Sequence, residues 1–586
     1  MTNIANLLTE HMAIWTAAET EKKSGRGRAS GNAGSVYGVK KLRELILELA
    51  VRGKLVPQDP NDEPASEILK RNQAEKTKLI ADGNRKLEKP LSQILEHEKP
   101  FELPIGWSWI YFGDYSVIER GGSPRPIQDF ITNEESGLNW IKISDTSVNS
   151  KYITSTQEKI RKEGLVKTRM VYPGDFLLTN SMSFGRPYIT NIQGCIHDGW
   201  LRIHPSKVMD KDFLYQLLMS PYVYGAFTKS AAGAVVQNLN ADKVRKLKIP
   251  IPPLAEQHRI VAKVDELMAL CDQLEQQHSN AQEAHETLVS QLLATLTQSQ
   301  NAAEFNANWQ RIYAHFDVLF TTEASIDTLK QTLLQLAVMG KLVPQDANDE
   351  PASELLKRIQ AEKAKLIAEG KLKKEKPLAP IGEDEKPFEL PKGWEWTTLL
   401  DAAVVNPRNN APDEIEASFV PMTYIGSEFS DKHQDEKRLW KDIKQGFTHF
   451  AEGDIGVAKI TPCFENSKAC VFENLGNGLG AGTTELHIIR PVTNTLNPRY
   501  VLAYLKSPRF LKLGESKMTG TAGQKRLPKD FVESNPFPLP PLAEQHRIVA
   551  KVYVLMLLCD QLKTRIQQAR QQQQTIADAL VAQAVA

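Results

Sequence analysis

The chain lacks the features that would mark it as an enzyme, a membrane protein or a secreted protein. No apolar run reaches the ~18 residues of a transmembrane helix. The opening MTNIANLLTEHMAIW has no basic segment followed by an apolar core, so no secretory signal is evident. Only five cysteines occur in 586 residues: Cys195, Cys271, Cys463, Cys470 and Cys559. The number is odd and the positions are scattered, which suits a reducing cytoplasm and excludes a disulfide framework. Cys463 and Cys470 have no further ligand types at zinc spacing. No Walker loop, nucleophile elbow or nuclease carboxylate–lysine cluster is present; PDEIEA (Pro412–Ala417) lacks the lysine. NPRY (Asn497–Tyr500) resembles the NPPY loop of methyltransferases. Arg499 replaces its second proline, however, and no Gly-rich donor loop follows an early strand, so it reads as a loop-to-helix start. GNGLGAG (Gly476–Gly482) has the wrong spacing for a dinucleotide loop and leads into a strand. His258 and His546 recur without a second ligand and read as capping or packing residues. No catalytic residue and no metal site follow from the sequence.

A net charge of +1 gives no argument for nucleic acid, but the distribution of charge does. Residues 111–250 carry +5 and residues 499–530 carry +6, local basic faces of the kind that bind phosphate. With 41% hydrophobic and 24% charged residues, the chain has the composition of a globular protein of about three to five domains.

What the chain has is a repeat. Leu49–Gly83 and Leu336–Gly370 agree at 29 of 35 positions, and EKPFELPIGWSW (Glu98–Trp109) matches EKPFELPKGWEW (Glu385–Trp396). PPLAEQHRIVAKV occurs at Pro252–Val264 and again at Pro540–Val552. Between these blocks, roughly Ile110–Pro250 and Thr397–Pro538, the two halves share little sequence. A constant frame around two unlike fillings implies one job done twice on two different objects, by duplicated domains rather than a solenoid.

Six segments are expected. Residues 1–38 form an N-terminal segment ending in the flexible linker Lys22–Ser35. Residues 39–106 are a helical arm, with helices over Val39–Val51 and from Asn61 to Gly83, stopped by Gly53 and Gly83. Residues 107–250 form a first α/β domain, with strands at Asn139–Ser144, Phe176–Ser181 and Gly199–His204 and a helix over Phe213–Phe227. Residues 251–393 hold central helices and the second arm, whose first helix is Ile326–Val338. Residues 394–538 form a second α/β domain of the same fold, with strands at Phe419–Ile425, Asp454–Ile460 and Thr484–Pro491 and a helix over Tyr500–Ser507. Residues 539–586 are a C-terminal helix. Apolar residues at Ile260, Val264, Leu267, Cys271 and Leu274, matched by Ile548, Val552, Leu555, Cys559, Leu562 and Ile566, predict two long helices of ~40 residues with a coiled-coil seam.

The doubled PPLAEQHRIV block after IPIPP, the GW-W motif leading into each filling and the twofold layout together resemble the specificity subunits of type I restriction–modification enzymes. The likeness is greatest to their longer subfamily with extended repeated arms (type IB-like), and it covers nearly the whole chain. It implies two α/β target-recognition domains of similar fold joined by two long antiparallel coiled-coil helices, in an internal pseudo-twofold repeat. Each domain then reads one half of a bipartite, non-palindromic site on double-stranded DNA. Half-sites on one face lie about a helical turn, ~34 Å, apart, and a paired-helix rod of ~25–30 residues spans ~40 Å. The implied partners are two methyltransferase subunits, which methylate adenine N6, and restriction subunits, which cleave DNA with ATP. S-adenosylmethionine, ATP and Mg belong to those partners and none to this chain, which is expected to be non-catalytic, cytoplasmic and without a membrane role.

On this reading Arg161, Lys162, Lys167, Arg169, Arg186, Lys229 and Gln237 face DNA from the first domain, in RKEGLVKTR, SFGRP and KSAAGAVVQN. Lys459, Lys468, Lys517, Gln524, Lys525 and Arg526 do so from the second, the last four in KMTGTAGQKR. Lys and Arg neutralise phosphates, whereas Arg or Gln paired bidentately to a base carries sequence information. Glu256, Arg259, Glu544 and Arg547 in the repeated block are the expected docking residues for the methyltransferase. A stand-alone sequence-specific DNA-binding regulator is the alternative, and it leaves the two arms unexplained. A coiled-coil scaffold leaves the basic patches unexplained, and an enzyme acting alone lacks a catalytic motif.

Overall fold

The computed structural model describes residues 11–17, 36–81, 91, 93–147, 150–180, 184–231, 239–492, 494–521 and 523–585. The chain forms two units: Met1–Asn280 with Arg570–Ala586, and Ala281–Ala569.

In the first unit the arm helix Tyr37–Val51 buries Val39, Leu42, Leu45, Ile46 and Leu49 along one face, as their spacing predicts. Gly53 ends it in the left-handed region (φ +66°), where a Cβ would stand 2.4 Å from Pro104 Cγ. Gly340 ends the equivalent helix, Glu323–Val338, at φ +69° against Pro391. The first 38 residues contain more than a linker. Helix Met12–Ala17 buries Trp15 in the same core as Val39 and Leu42. Its close approach is made possible by Gly38, where a Cβ would meet the Trp15 carbonyl at 2.3 Å. The linker expected at Lys22–Ser35 lies outside the described residues.

Two helices carry most of the frame. Leu254–Gln298 runs for 45 residues and Leu542–Val585 for 44. The first starts in unit one and ends in unit two, and the second makes the return passage. Within unit one, seam residues Ile260, Val264, Leu267 and Cys271 share a core with the arm helix and with Ala577 near the end of the second long helix. Within unit two, Ile548, Val552 and Cys559 share a core with the arm residues Ile326, Leu329 and Leu333, and with Val289, Leu293 and Leu296 of the first long helix. Each seam therefore packs on a short arm helix as well as on the other long helix. In unit two, Glu323 with Gln567, Asp327 with Lys563 and Lys330 with Asp560 show that arm and long helix run antiparallel.

Each filling is entered and left through a two-stranded antiparallel ribbon. Ser108–Tyr111 pairs with Lys248–Ile251 in unit one, and Glu395–Thr398 with Pro536–Leu539 in unit two. Beyond the ribbon of unit one lie two five-stranded sheets. The first has the order Ser116–Arg120, Trp200–Pro205, Phe176–Thr179, Pro187–Thr190, Tyr152–Ile153. The second has the order Ile131–Thr132, Glu158–Ile160, Leu138–Ile141, Gly194–Ile196, Arg169–Val171. Unit two repeats both with four strands each: Ala403–Val405, Leu486–Pro491, Ile455–Ala458, Ala469–Val471, and Glu436–Leu439, Glu416–Val420, Leu479–Gly482, Thr448–Ala451. Leu138–Ile141 runs parallel to Gly194–Ile196, and Glu416–Val420 parallel to Leu479–Gly482, which fixes the correspondence. GNGLGAG is accordingly a turn and a strand, and NPRY is a helix start in which the Asn497 side chain accepts from Arg499 N–H at 2.9 Å.

The predicted helix Phe213–Phe227 is two helices, Lys211–Met219 and Pro221–Ala231. Ser220 and Pro221 break it, because proline donates no hydrogen bond and the preceding residue is pushed out of the helical region. Ser507 and Pro508 break Pro498–Leu505 from Pro508–Lys517 in the same way. The two fillings also share a buried ion pair. Arg202 meets Asp175 at 3.1 Å, and Arg490 meets Asp454 at 2.7 Å. Each aspartate follows a left-handed glycine, Gly174 or Gly453, and caps its own turn.

Candidate nucleic-acid interface

All four polar residues of the EQHR block are engaged inside their own unit, twice over. Glu256, 1% exposed, accepts from Trp107 Nε1 at 3.0 Å and from Gln58 Nε2 at 3.1 Å. Glu544 accepts from Trp394 at 2.9 Å and from Gln345 at 3.1 Å. Burial pushes both carboxyls above the usual carboxylate range, against the pull of the two donors. Gln257 accepts from the Asp210 amide at 2.7 Å, and Gln545 from the Asn497 amide at 2.8 Å. His258 lies 3.6 Å from Asp210, and His546 Nδ1 lies 3.0 Å from Asn497 Nδ2. Arg259 forms a two-pronged pair with Asp62 at 2.5 and 3.3 Å, and Arg547 with Asp349 at 2.6 and 3.2 Å. Asp210 and Asn497 cap the first helix after each sheet pair, so the block joins arm, ribbon and filling.

This places the four expected docking residues. Glu256 and Glu544 are buried, and the half-exposed Arg259 and Arg547 hold their own arms, so none presents a free side chain outward. The sequence signal for this was the co-occurrence of Gln58, Asp62 and Trp107 with EQHR in both copies.

The basic candidates of the first domain fall on exposed backbone. Arg161, Lys162 and Lys167 bracket the short 3-10 segment Lys162–Lys167. Arg169 donates to the Arg120 carbonyl at 2.9 Å and meets Glu119 at 3.2 Å. The GGSPR loop lies against this segment: Gly122 approaches so closely that a Cβ would be 2.3 Å from the Lys167 carbonyl. That brings in a residue the sequence reading missed, Arg125, whose side chain is 80% exposed and 3.5 Å from Asp198. Arg186 is half-buried with its guanidinium 5.8 Å from the Tyr188 ring. Lys229 is exposed near the end of Pro221–Ala231, and Gln237 lies outside the described residues.

In the second domain KMTGTAGQKR closes into a narrow hairpin. Arg526 N–H donates to the Thr519 carbonyl at 2.8 Å and Thr519 N–H returns to Arg526 at 3.0 Å. Lys525 N–H reaches Thr461 Oγ1 at 3.1 Å, which pins the hairpin beside Lys459. Lys517, Gln524 and Lys525 are exposed, so this loop gathers most of the predicted set. Arg526 is held by Glu485 at 2.8 Å, and Lys468 is turned away, donating to the Met422 carbonyl at 2.9 Å. Among the described residues no group of acidic, histidine and cysteine side chains could hold a metal ion, and no helix is long and apolar enough to cross a membrane.

Comparison with known proteins identifies a family. Residues 112–283 match the family described as the type I restriction modification DNA specificity domain. The chain is 39% identical to the type I restriction enzyme EcoEI specificity subunit of Escherichia coli, over 98% of this chain and 99% of the relative. It is 38% identical to the EcoAI specificity subunit of the same species over the full length of both. The crystal structure of an HsdS subunit from Thermoanaerobacter tengcongensis aligns at 18% identity and a TM-score of 0.38, covering 83% of this chain and 98% of that one.

Proposed function

The chain belongs to the specificity subunits of type I restriction enzymes, the non-catalytic members of those systems, and we propose that its two domains each read one half of a bipartite, non-palindromic DNA site. The observation that supports this is the clamp repeated around two fillings. The same Trp–Glu, Gln–amide and Arg–Asp contacts hold both chain ends of each domain, while the loops borne on the sheets differ in length, charge and partners. A holder that is constant and a surface that varies suit recognition of two different sequences by one mechanism.

In the assembled system the chain docks two methyltransferase subunits that transfer a methyl group from S-adenosylmethionine to adenine N6. Restriction subunits using ATP and Mg then direct cleavage, and the complex works in the cytoplasm. With EQHR committed internally, docking falls to the outward faces of the long helices. There Leu270, Val554, Leu557 and Leu558 stand exposed, an apolar exposure that a partner covers. A stand-alone DNA-binding regulator needs no such faces.

The test is an exchange of residues 110–250 for the corresponding stretch of a relative, followed by mapping of methylated adenines in host DNA. One half of the methylated site should change and the other persist. A change in both halves is incompatible with independent readers.

A further inference from the structure

Unit one contains a cleft of about 650 Å³ where the arm helix meets the first recognition domain. Its walls carry Arg52, Lys229, Lys243, Lys246 and Lys248 against two carboxylates, Glu48 and Glu98. Both carboxylates are already engaged. Glu48, 7% exposed, holds Arg52 Nε at 2.8 Å and accepts from the Tyr222 amide at 3.0 Å. Glu98 lies 3.5 Å from Lys248 and accepts from the Leu95 amide at 3.2 Å. Arg52 is further fixed by the Phe101 ring, 4.5 Å below its guanidinium. Lys229 and Lys246 are exposed at the rim and have no carboxylate partner among the described residues.

The corresponding place in unit two differs. There the cavity holds about 50 Å³, is lined by Phe388, Trp396, Tyr504 and Phe510, and has Arg509 as its cation and Glu385 as its carboxylate. The change reaches into the otherwise constant arm, where Gln335 and Met339 occupy the places of Glu48 and Arg52.

We propose that the unit-one cleft binds backbone phosphates of duplex DNA alongside the first half-site, and that the second unit has no equivalent. The inference rests on the DNA reading proposed above and adds a sequence-independent anchor to it. Glu48 and Glu98 are spent on Arg52 and Lys248, which leaves the charge of the rim lysines Lys229 and Lys246 for a phosphate. Continuity favours duplex DNA: Lys229, exposed at the rim, is itself the first residue of KSAAGAVVQN, the segment expected to meet DNA, so a strand held by Lys229 lies at the edge of the cleft.

The experiment uses the methyltransferase complex carrying Lys246→Ala, Lys229→Gln or both. Binding to the methylated-site duplex and to a scrambled duplex is followed across a salt series. Each substitution should lower the steepness of log K against log salt by about 0.9, equally on both duplexes, leaving the preference between them intact. Arg509→Ala in unit two should leave the slope unchanged. A wild-type slope in the double variant overturns the proposal. So does loss of subunit assembly with DNA binding retained, which assigns the cleft to an acidic protein, or a change confined to competition by free tripolyphosphate, which assigns it to a nucleotide. If the wild-type complex does not distinguish the two duplexes, the specificity reading fails, while the slopes still judge the cleft.

Discussion

The indole N–H of Trp107 donates to the carboxylate of Glu256 at 3.0 Å, across 149 residues of sequence. Trp394 and Glu544 repeat the contact at 2.9 Å across 150. Trp107 lies just before the first strand of the ribbon, and Glu256 lies just after the last. One buried hydrogen bond therefore closes the neck of each recognition domain. A domain held at its neck can change its loops without changing how it is mounted, which is the physical requirement for interchangeable specificity.

Removing the indole donor should destabilise each neck. Trp107→Phe keeps an aromatic body but leaves a buried carboxylate short of a partner, at a cost of about 1–3 kcal/mol, and Glu256→Gln should cost less than Glu256→Ala. The penalty should depend on pH. Burial raises the Glu256 carboxyl in the folded protein, so the native state takes up its proton before the unfolded chain does. Its contribution to stability therefore improves as pH falls through the raised value towards the unfolded one near ~4.3. Urea unfolding of Trp107→Phe and wild type at neutral and mildly acid pH checks this; a penalty that grows on acidification contradicts it.

Charge reversal at Arg259 separates a structural role from a docking role. Arg259→Asp should loosen the first arm by about 1–3 kcal/mol, and combining it with Asp62→Arg should restore much of the loss, since the pair is two-pronged and half-buried. Methyltransferase assembly, followed by gel filtration, should recover together with stability. Recovery of stability without assembly would show that the partner reads Arg259 directly.

The sequence revealed the frame more fully than the site, for physical reasons. Heptad spacing from Ile260 to Leu274 and the left-handed stops at Gly53 and Gly340 are local signals; the long helices follow from the first and the ends of the arm helices from the second. The Ser220–Pro221 break is equally local, but helical periodicity continues on either side of it and masks it. The burial of Trp15 is not legible in the sequence, because it depends on a contact with Gly38, 23 residues on, that no local periodicity encodes. At the site, composition picked out KMTGTAGQKR correctly as an exposed basic loop. It could not show that Arg526 is claimed by Glu485 or Lys468 by the Met422 carbonyl, since both partners are distant in sequence. The repetition of EQHR is visible in the sequence, and so is the co-occurrence of Gln58, Asp62 and Trp107 with it, but that these residues pair with one another is a contact across up to 198 residues that the chain order does not show.

Lys506 should impose an alkaline signature on unit two. It is 1% exposed, donates to the Ser427 and Ser467 carbonyls at 2.8 and 2.6 Å, and burial lowers its pKa to about 8. Between about 8 and the ordinary value of 10.5 the unfolded chain holds a proton that the folded chain has released. Stability from this group therefore rises with pH across that window, by on the order of 3 kcal/mol when complete. Lys506→Met removes the titration. The difference in unfolding free energy between variant and wild type should shift in favour of wild type as pH goes from about 8 to 10. A constant difference would mean that Lys506 keeps its proton throughout.

The hairpin Lys517–Arg526 gives the most direct test of where the second domain meets DNA. Its rungs between Thr519 and Arg526 and its tie from Lys525 to Thr461 fix the backbone, leaving the Lys517, Gln524 and Lys525 side chains exposed. Lys517→Ala and Lys525→Ala should weaken binding to cognate and scrambled duplexes alike and each reduce the salt slope by about one. Gln524→Ala should cost about 1–3 kcal/mol on the cognate duplex alone and relax one position of the half-site, because an amide pairs with one base edge and a lysine does not. Arg526→Ala should behave differently from both, since its guanidinium is committed to Glu485 and its loss frees a carboxylate at the hairpin's base. It should weaken both duplexes more than Lys525→Ala does, and Glu485→Gln in the same background should recover part of the loss by removing that negative charge. Should Lys517→Ala, Gln524→Ala and Lys525→Ala all bind both duplexes as wild type does, the reading surface of this domain lies elsewhere.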